Sequence, residues 1–206
     1  PADHITGNYI PNWALWLIPE LYEYKDRGGN LEIIKNIEPK IHKLFSFFER
    51  YENEFGLLEG LDRWVFVEWS EANNLVQDVN FPSNMLYYGA LKAAGSLYNR
   101  HDYLEKAERV KEAIIKLSYN GEFFEDNAIR ADGKLKLMGN ITEVCQYYAF
   151  FFGVATSESY PELWKRLLNN FGPNRDYKRV YPNVHPANAF IGNYLRIDML
   201  SNNREI

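Results

Sequence analysis

Ile141-Thr142-Glu143-Val144-Cys145-Gln146-Tyr147-Tyr148-Ala149-Phe150-Phe151-Phe152-Gly153-Val154 reads as a helix without a polar face. Its aromatic and aliphatic side chains project in every direction, so it is expected to be buried on all sides. Trp13 to Tyr24, Met85 to Leu97 and Ala187 to Leu200 share that character. Pro19 is expected to kink or interrupt the first of these. Between them lie one-sided helices. Ile33, Ile34, Ile37, Ile41, Leu44, Phe45 and Phe48 form one stripe at helical spacing. Leu104, Ala107, Val110, Ile114 and Leu117 form a second, and Leu163, Leu167 and Leu168 a shorter third. Buried and one-sided helices alternate along the chain. Turn residues separate them at Gly28-Gly29-Asn30, Asn99-Arg100-His101-Asp102 and Thr156-Ser157-Glu158-Ser159. Each pair is then a hairpin with one inner and one outer helix. The pattern predicts an all-α fold in which helical hairpins form an α/α toroid. Short strandlike inserts are expected near 61–69 and 121–137. No 34-residue repeat suggests an open solenoid.

The chain has 206 residues, the size of one domain, and a formal net charge of −5. Acids and bases are mixed, without a basic stripe, so nucleic acid is not an expected partner. The longest apolar runs, Trp13–Ile18 and Tyr147–Val154, are too short to span a bilayer, so no membrane partner is expected. Cys145 is the single cysteine, which excludes an internal disulfide and leaves the compartment open. The four histidines lack ligand spacing, and no metal site is expected.

Function points to the stretch Arg63-Trp64-Val65-Phe66-Val67-Glu68-Trp69-Ser70-Glu71-Ala72-Asn73-Asn74. Its apolar residues alternate like a short strand, and it brings two tryptophans and two acids to a helix start. Such a wall suits a sugar, whose C–H faces lie on aromatic rings and whose hydroxyls bond to carboxylates and amides. The competing reading makes Trp64 and Trp69 core anchors and the acids solvated. If the inner helices run parallel, the residues leading into them converge at one end. Those residues are Asn12 and Trp13; Trp69, Glu71, Asn73 and Asn74; Asn140, Thr142 and Glu143; and His185 and Asn188. Asn140 and Glu143 also match a helix cap followed by an acid. Glycosidic hydrolysis needs two carboxyl groups flanking the bond. Glu68 and Glu71 point to opposite faces if extended and share a face if helical, and neither arrangement straddles a substrate. No nucleophile elbow, phosphate loop or di-iron pattern is present.

Four segments resemble the catalytic domain of bacterial α-L-rhamnosidases, six-hairpin (α/α)6 glycosidases. They are Ile10-Pro11-Asn12-Trp13; Gly56-Leu57-Leu58 with Trp64-Val65-Phe66-Val67-Glu68-Trp69; Thr142-Glu143-Val144-Cys145-Gln146-Tyr147-Tyr148; and Phe190-Ile191-Gly192-Asn193-Tyr194-Leu195-Arg196. The resemblance implies an inverting hydrolase of terminal rhamnosides, with Trp69 lining the sugar subsite. Glu68 stands where the family more often has aspartate. The substrate-binding residues expected are Trp69, Glu68, Glu71, Glu143, Asn12, Trp13 and His185. No cofactor is implied, and the partner is a carbohydrate. The family's general-acid and general-base motifs are absent from these 206 residues. Residues 1–206 are therefore expected to be one partial domain, an arc of an (α/α)6 toroid, inactive alone. Such an arc is also expected to self-associate through exposed inner-helix surface. A non-catalytic helical-hairpin binding module and another six-hairpin sugar enzyme stay open as alternatives.

Overall fold

The computed structural model describes residues 9–173, 175, 180–188 and 190–205. Two helices form its centre, α3 (Phe81–Tyr98) and α5 (Glu143–Phe152). Both are buried nearly all round, as their composition requires. They approach closely because Gly89 has no side chain. A Cβ there would lie 2.1 Å from the Phe152 ring. α1 (Pro11–Asp26) packs on α3, and α7 (Ile191–Asn202) packs on α5. The inner series therefore runs α1–α3–α5–α7. α2 (Leu31–Glu49), α4 (His101–Ser118) and α6 (Pro161–Asn170) are the outer helices. Each turns one apolar face inward: Ile34, Ile41, Phe45 and Phe48; Ala107, Val110 and Ile114; Leu163, Trp164 and Leu167. This is an all-α arc of helical hairpins with short strands, as the alternation predicts.

Two inner helices depart from the expected burial. α1 buries Leu15, Ile18 and Leu21 but exposes Trp13, Leu17, Tyr22 and Tyr24. α7 buries Leu195, Met199 and Leu200 but exposes Tyr194 and Ile197. Among the described residues these helices end the arc, α1 packing chiefly on α3 and α7 on α5. α1 also runs without interruption through Pro19.

Local signals set the ends. Asn30, Asn80 and Thr142 cap α2, α3 and α5 by accepting from Glu32, Ser83 and Cys145 backbone N–H groups. Thr142, not Asn140, is thus the cap of α5, and Glu143 is its first helical residue. Asn99 closes α3 in the left-handed region.

The insert near 121–137 is a hairpin of β2 (Asn127–Ala131) and β3 (Lys134–Leu137), turned by Asp132 and Gly133 at positive φ. β1 (Val79–Asn80) pairs antiparallel with β2. β4 (Ile141–Thr142) pairs in parallel with β5 (Val184–His185). The alternation at 64–69 does not form a strand. Val65, Phe66, Val67 and Glu68 are buried in succession. Side chains replace a ladder: Val67 N–H donates to Asn73, and its carbonyl accepts from Tyr148. A short 3₁₀ turn, Glu71–Asn74, follows.

Candidate functional site

The N-termini of the four inner helices meet at one end of the arc, joined by hydrogen bonds between residues far apart in sequence. Asn12 at the start of α1 donates to Ser83 Oγ at 2.8 Å, and Ser83 donates to Asn80 at the start of α3. Phe81 N–H donates to the Asp126 carbonyl at 2.8 Å. The Asp126 carboxylate accepts from Thr142 N–H at 2.7 Å and Thr142 Oγ1 at 2.8 Å, which links α3 to α5. Glu143 accepts from Ala187 N–H at 3.1 Å. Glu68 accepts from Asn188 N–H at 2.9 Å and from Gly192 N–H, which fixes the start of α7. Sequence reading of a common end for these tips is matched by this belt of contacts.

Three tryptophans stand at that end around one buried ring. Phe66 is 2% exposed, whereas Trp13, Trp64 and Trp69 are 41%, 46% and 57% exposed. The Phe66 centroid lies 6.1, 5.5 and 5.0 Å from theirs, in edge contacts. Trp64 and Trp69 also lie 5.6 Å apart. Neither is a core anchor. Asn188 Nδ2 donates to the Trp69 carbonyl and ties the ledge to the segment before α7. Phe190, also exposed, lines a hollow with Trp13. The alternation pattern offered no means of finding Phe66 as the hub or Phe190 as a neighbour of Trp13. Those contacts depend on how α1, the 64–69 segment and α7 converge.

The predicted polar residues divide into two groups. Glu71 is exposed on the 3₁₀ turn and accepts from Asn74 at 3.3 Å. His185 is exposed on β5, opposite Thr142 in the strand register. Asn12, Glu68 and Glu143 are buried. Burial pushes the Glu68 carboxyl above its usual range, while the Asn188 and Gly192 N–H groups pull it back. Gly192 is required for that approach, since a Cβ would fall 2.5 Å from Glu68 Oε1. Glu143 Oε1 accepts from Arg175 at 2.7 Å and Gly172 N–H at 3.4 Å. Its Oε2 accepts from Ala187 N–H and, at 3.3 Å, from Tyr147. All four oxygens of these two acids are therefore engaged by the chain itself.

Asp126 was not singled out by sequence, because its meaning lies in Thr142, sixteen residues on. It is fully buried, and desolvation pushes its carboxyl up to about 7. The sign follows from proton binding. Between 3.8 and about 7 the folded chain keeps a proton that the unfolded chain has released. Stability therefore falls as pH rises through that window, by at most about 1.4 kcal/mol per pH unit from this group. Asp126→Asn is expected to flatten that slope. Urea unfolding of both proteins from about pH 4 to about pH 8 checks it. Parallel slopes for the two would remove Asp126 as the cause.

Two solved structures share this architecture. A GH78 family rhamnosidase of Bacillus sp. GL1 superposes with a TM-score of 0.78 at 19% identity, over 96% of this chain and 20% of its own. A rhamnosidase from Klebsiella oxytoca with rhamnose bound superposes with a TM-score of 0.70 at 14% identity, over 94% of this chain and 35% of its own. The chain has a rhamnosidase-like fold. It spans a fifth of the length of the first structure and about a third of the second. No protein-family model and no curated protein matches the sequence.

Proposed function

We propose that residues 1–206 form one partial toroid domain of a glycoside hydrolase acting on terminal α-L-rhamnosides. The observation that carries this reading is the ledge of Trp13, Trp64 and Trp69, set on Phe66 where four helix N-termini gather. Its faces suit the C–H side of a deoxy sugar. Glu71 and His185, both exposed at this end, supply polar partners for hydroxyls. Glu68, Glu143 and Asn12 are buried and tie the helix tips together through bonds within the chain. Hydrolysis with inversion requires a separated acid and base, and in this reading neither comes from Glu68 or Glu143. The likeness to two rhamnosidases supports the fold on which this reading rests.

Calorimetry with L-rhamnose tests the ledge. Trp69→Ala is expected to weaken binding roughly fivefold to tenfold, the effect of losing one aromatic face. Unchanged affinity in a folded variant would remove Trp69 from the site. The 206-residue chain is expected to release no product from an aryl rhamnoside, and turnover by pure protein would show that its own carboxylates suffice. The engagement of all four oxygens of Glu68 and Glu143 favours a second reading, a non-catalytic saccharide-binding arc. The full-length protein that carries this chain discriminates: the first reading predicts rhamnoside hydrolysis impaired by Trp69→Ala, the second predicts binding alone.

A further inference from the structure

The tryptophan ledge is one side of a mouth, and hydrogen bonds trace the other side. Glu71, just beyond Trp69, accepts from Asn74 Nδ2 at 3.3 Å. The Asn74 carbonyl accepts from Gln77 Nε2 at 2.7 Å. Gln77 Oε1 accepts from Asn127 Nδ2 at 3.5 Å, and Asn127 Oδ1 accepts from Asn140 Nδ2 at 2.9 Å. Asn140 leads into β4, where Thr142 stands opposite His185 in the strand register. Asn188, just beyond His185, donates to the Trp69 carbonyl and closes the circuit. A row of amides, Asn74, Gln77, Asn127 and Asn140, thus completes a rim that begins and ends at Trp69.

The row suits a polar, uncharged ligand. Asn74 and Gln77 are exposed and Asn140 is half-buried, while Asn127 behind them is buried. A carboxamide carries both donors and acceptors, and the links within the row use only some of them. Among the described residues, neither Asn74 Oδ1 nor Asn140 Oδ1 accepts from the chain. The same links hold the amides in place, so a ligand meets groups with little freedom left to lose. Beside them stands Met138, exposed, its N–H donating to the Asn127 carbonyl at 3.4 Å. Donors and acceptors next to an exposed apolar side chain match a pyranose, with hydroxyls on its edge and C–H groups on its face. Charge narrows the class. Glu71 stands at one end of the row. At the other, Glu125 Oε2 accepts from Gly139 N–H, next to Asn140, at 2.8 Å. A sugar carboxylate would face an acid at each end, and a neutral sugar would not.

We propose that the amide row is a second sugar subsite, which holds a neutral, hydroxyl-rich pyranose linked to the terminal sugar on the ledge. The inference rests on the sugar reading of the ledge and extends it. The substrate class is then a rhamnosylated saccharide rather than a rhamnoside of a flat aromatic group.

The probe is an S-linked α-L-rhamnosyl-D-glucose, whose thioether linkage resists hydrolysis. Calorimetry on the full-length protein that carries this chain compares it with methyl thio-α-L-rhamnoside. The disaccharide is expected to bind roughly tenfold tighter, the scale of about two added hydrogen bonds. Asn74→Ala with Asn140→Ala is expected to bring that ratio down to about two, in variants whose fold circular dichroism verifies. Gln77→Ala, at an exposed position, is expected to lower it by a smaller factor. A ratio near one, with methyl thiorhamnoside bound, would overturn the subsite and spare the sugar reading. Absence of binding by either ligand would overturn both. A ratio that the amide variants leave unchanged would remove the second sugar from this row. Equal affinity for the S-linked rhamnosyl-glucuronate would overturn the neutral class.

Discussion

Glu143→Ala is expected to lower the stability of the chain by about 3–5 kcal/mol, the cost of removing one partner of a buried ion pair. Arg175 and Glu143 are 11% and 2% exposed, and their charged atoms lie 2.7 Å apart. Without the carboxylate, the guanidinium loses its charged partner. The Gly172 and Ala187 N–H groups also lose their acceptor. Arg175 keeps bonds to the Tyr181 and Val184 carbonyls, so the charge does not simply swing into solvent. Glu143→Gln, which keeps an acceptor but not the charge, should fall between the two proteins. Urea unfolding monitored by circular dichroism measures all three. A loss under about 1 kcal/mol for the alanine variant would show that water replaces the carboxylate there. Because the loss is structural, it is expected without any sugar present.

Phe66→Ala should have an effect of similar size through a different cause. Truncating a buried phenylalanine costs about 3–5 kcal/mol, through lost transfer energy and the cavity left behind. Here the cavity opens beneath three tryptophans, so the ledge should lose its shape as well. The variant is expected to lose affinity for L-rhamnose by more than Trp69→Ala does, although Phe66 is too buried to touch a sugar. Phe66→Leu, which refills most of the volume, should recover much of the stability and less of the binding. A Phe66→Ala protein that bound rhamnose normally would separate the ledge from the sugar site.

The helical architecture was legible in the sequence because it rests on local periodicity. The stripe through Ile41, Phe45 and Phe48 and the apolar run from Val144 to Phe152 each state their own burial. The gathering of helix tips followed from the alternation of inner and outer helices. What resisted reading was anything fixed by distant partners. Glu68 meets Gly192 across 124 residues, and Glu143 meets Ala187 across 44. Nothing near either acid distinguishes an anchored carboxylate from one offered to a ligand. Composition likewise cannot separate α1, with Trp13 and Leu17 exposed, from α3, which has neighbours on nearly every side. Side-chain oxygens of Asn73 and Asn84 accept from backbone N–H groups of Val67 and Leu58. Such substitution of amides for strand partners leaves no periodic trace.

The belt that joins Asn12, Ser83, Asp126 and Thr142, with Glu68 and Glu143 beyond, has a bearing on the order of folding. Its links span 71, 16, 44 and 124 residues, against four for a helical bond. Contacts of such sequence separation close only after the intervening chain has lost its freedom. The rods should form early, and this end should lock last. Once locked, none of its links can open alone without baring a buried carboxylate or amide. The Thr142 and Gly192 amides should therefore exchange with solvent deuterium only when the entire chain unfolds, while the far ends of α1 and α7 fray on their own.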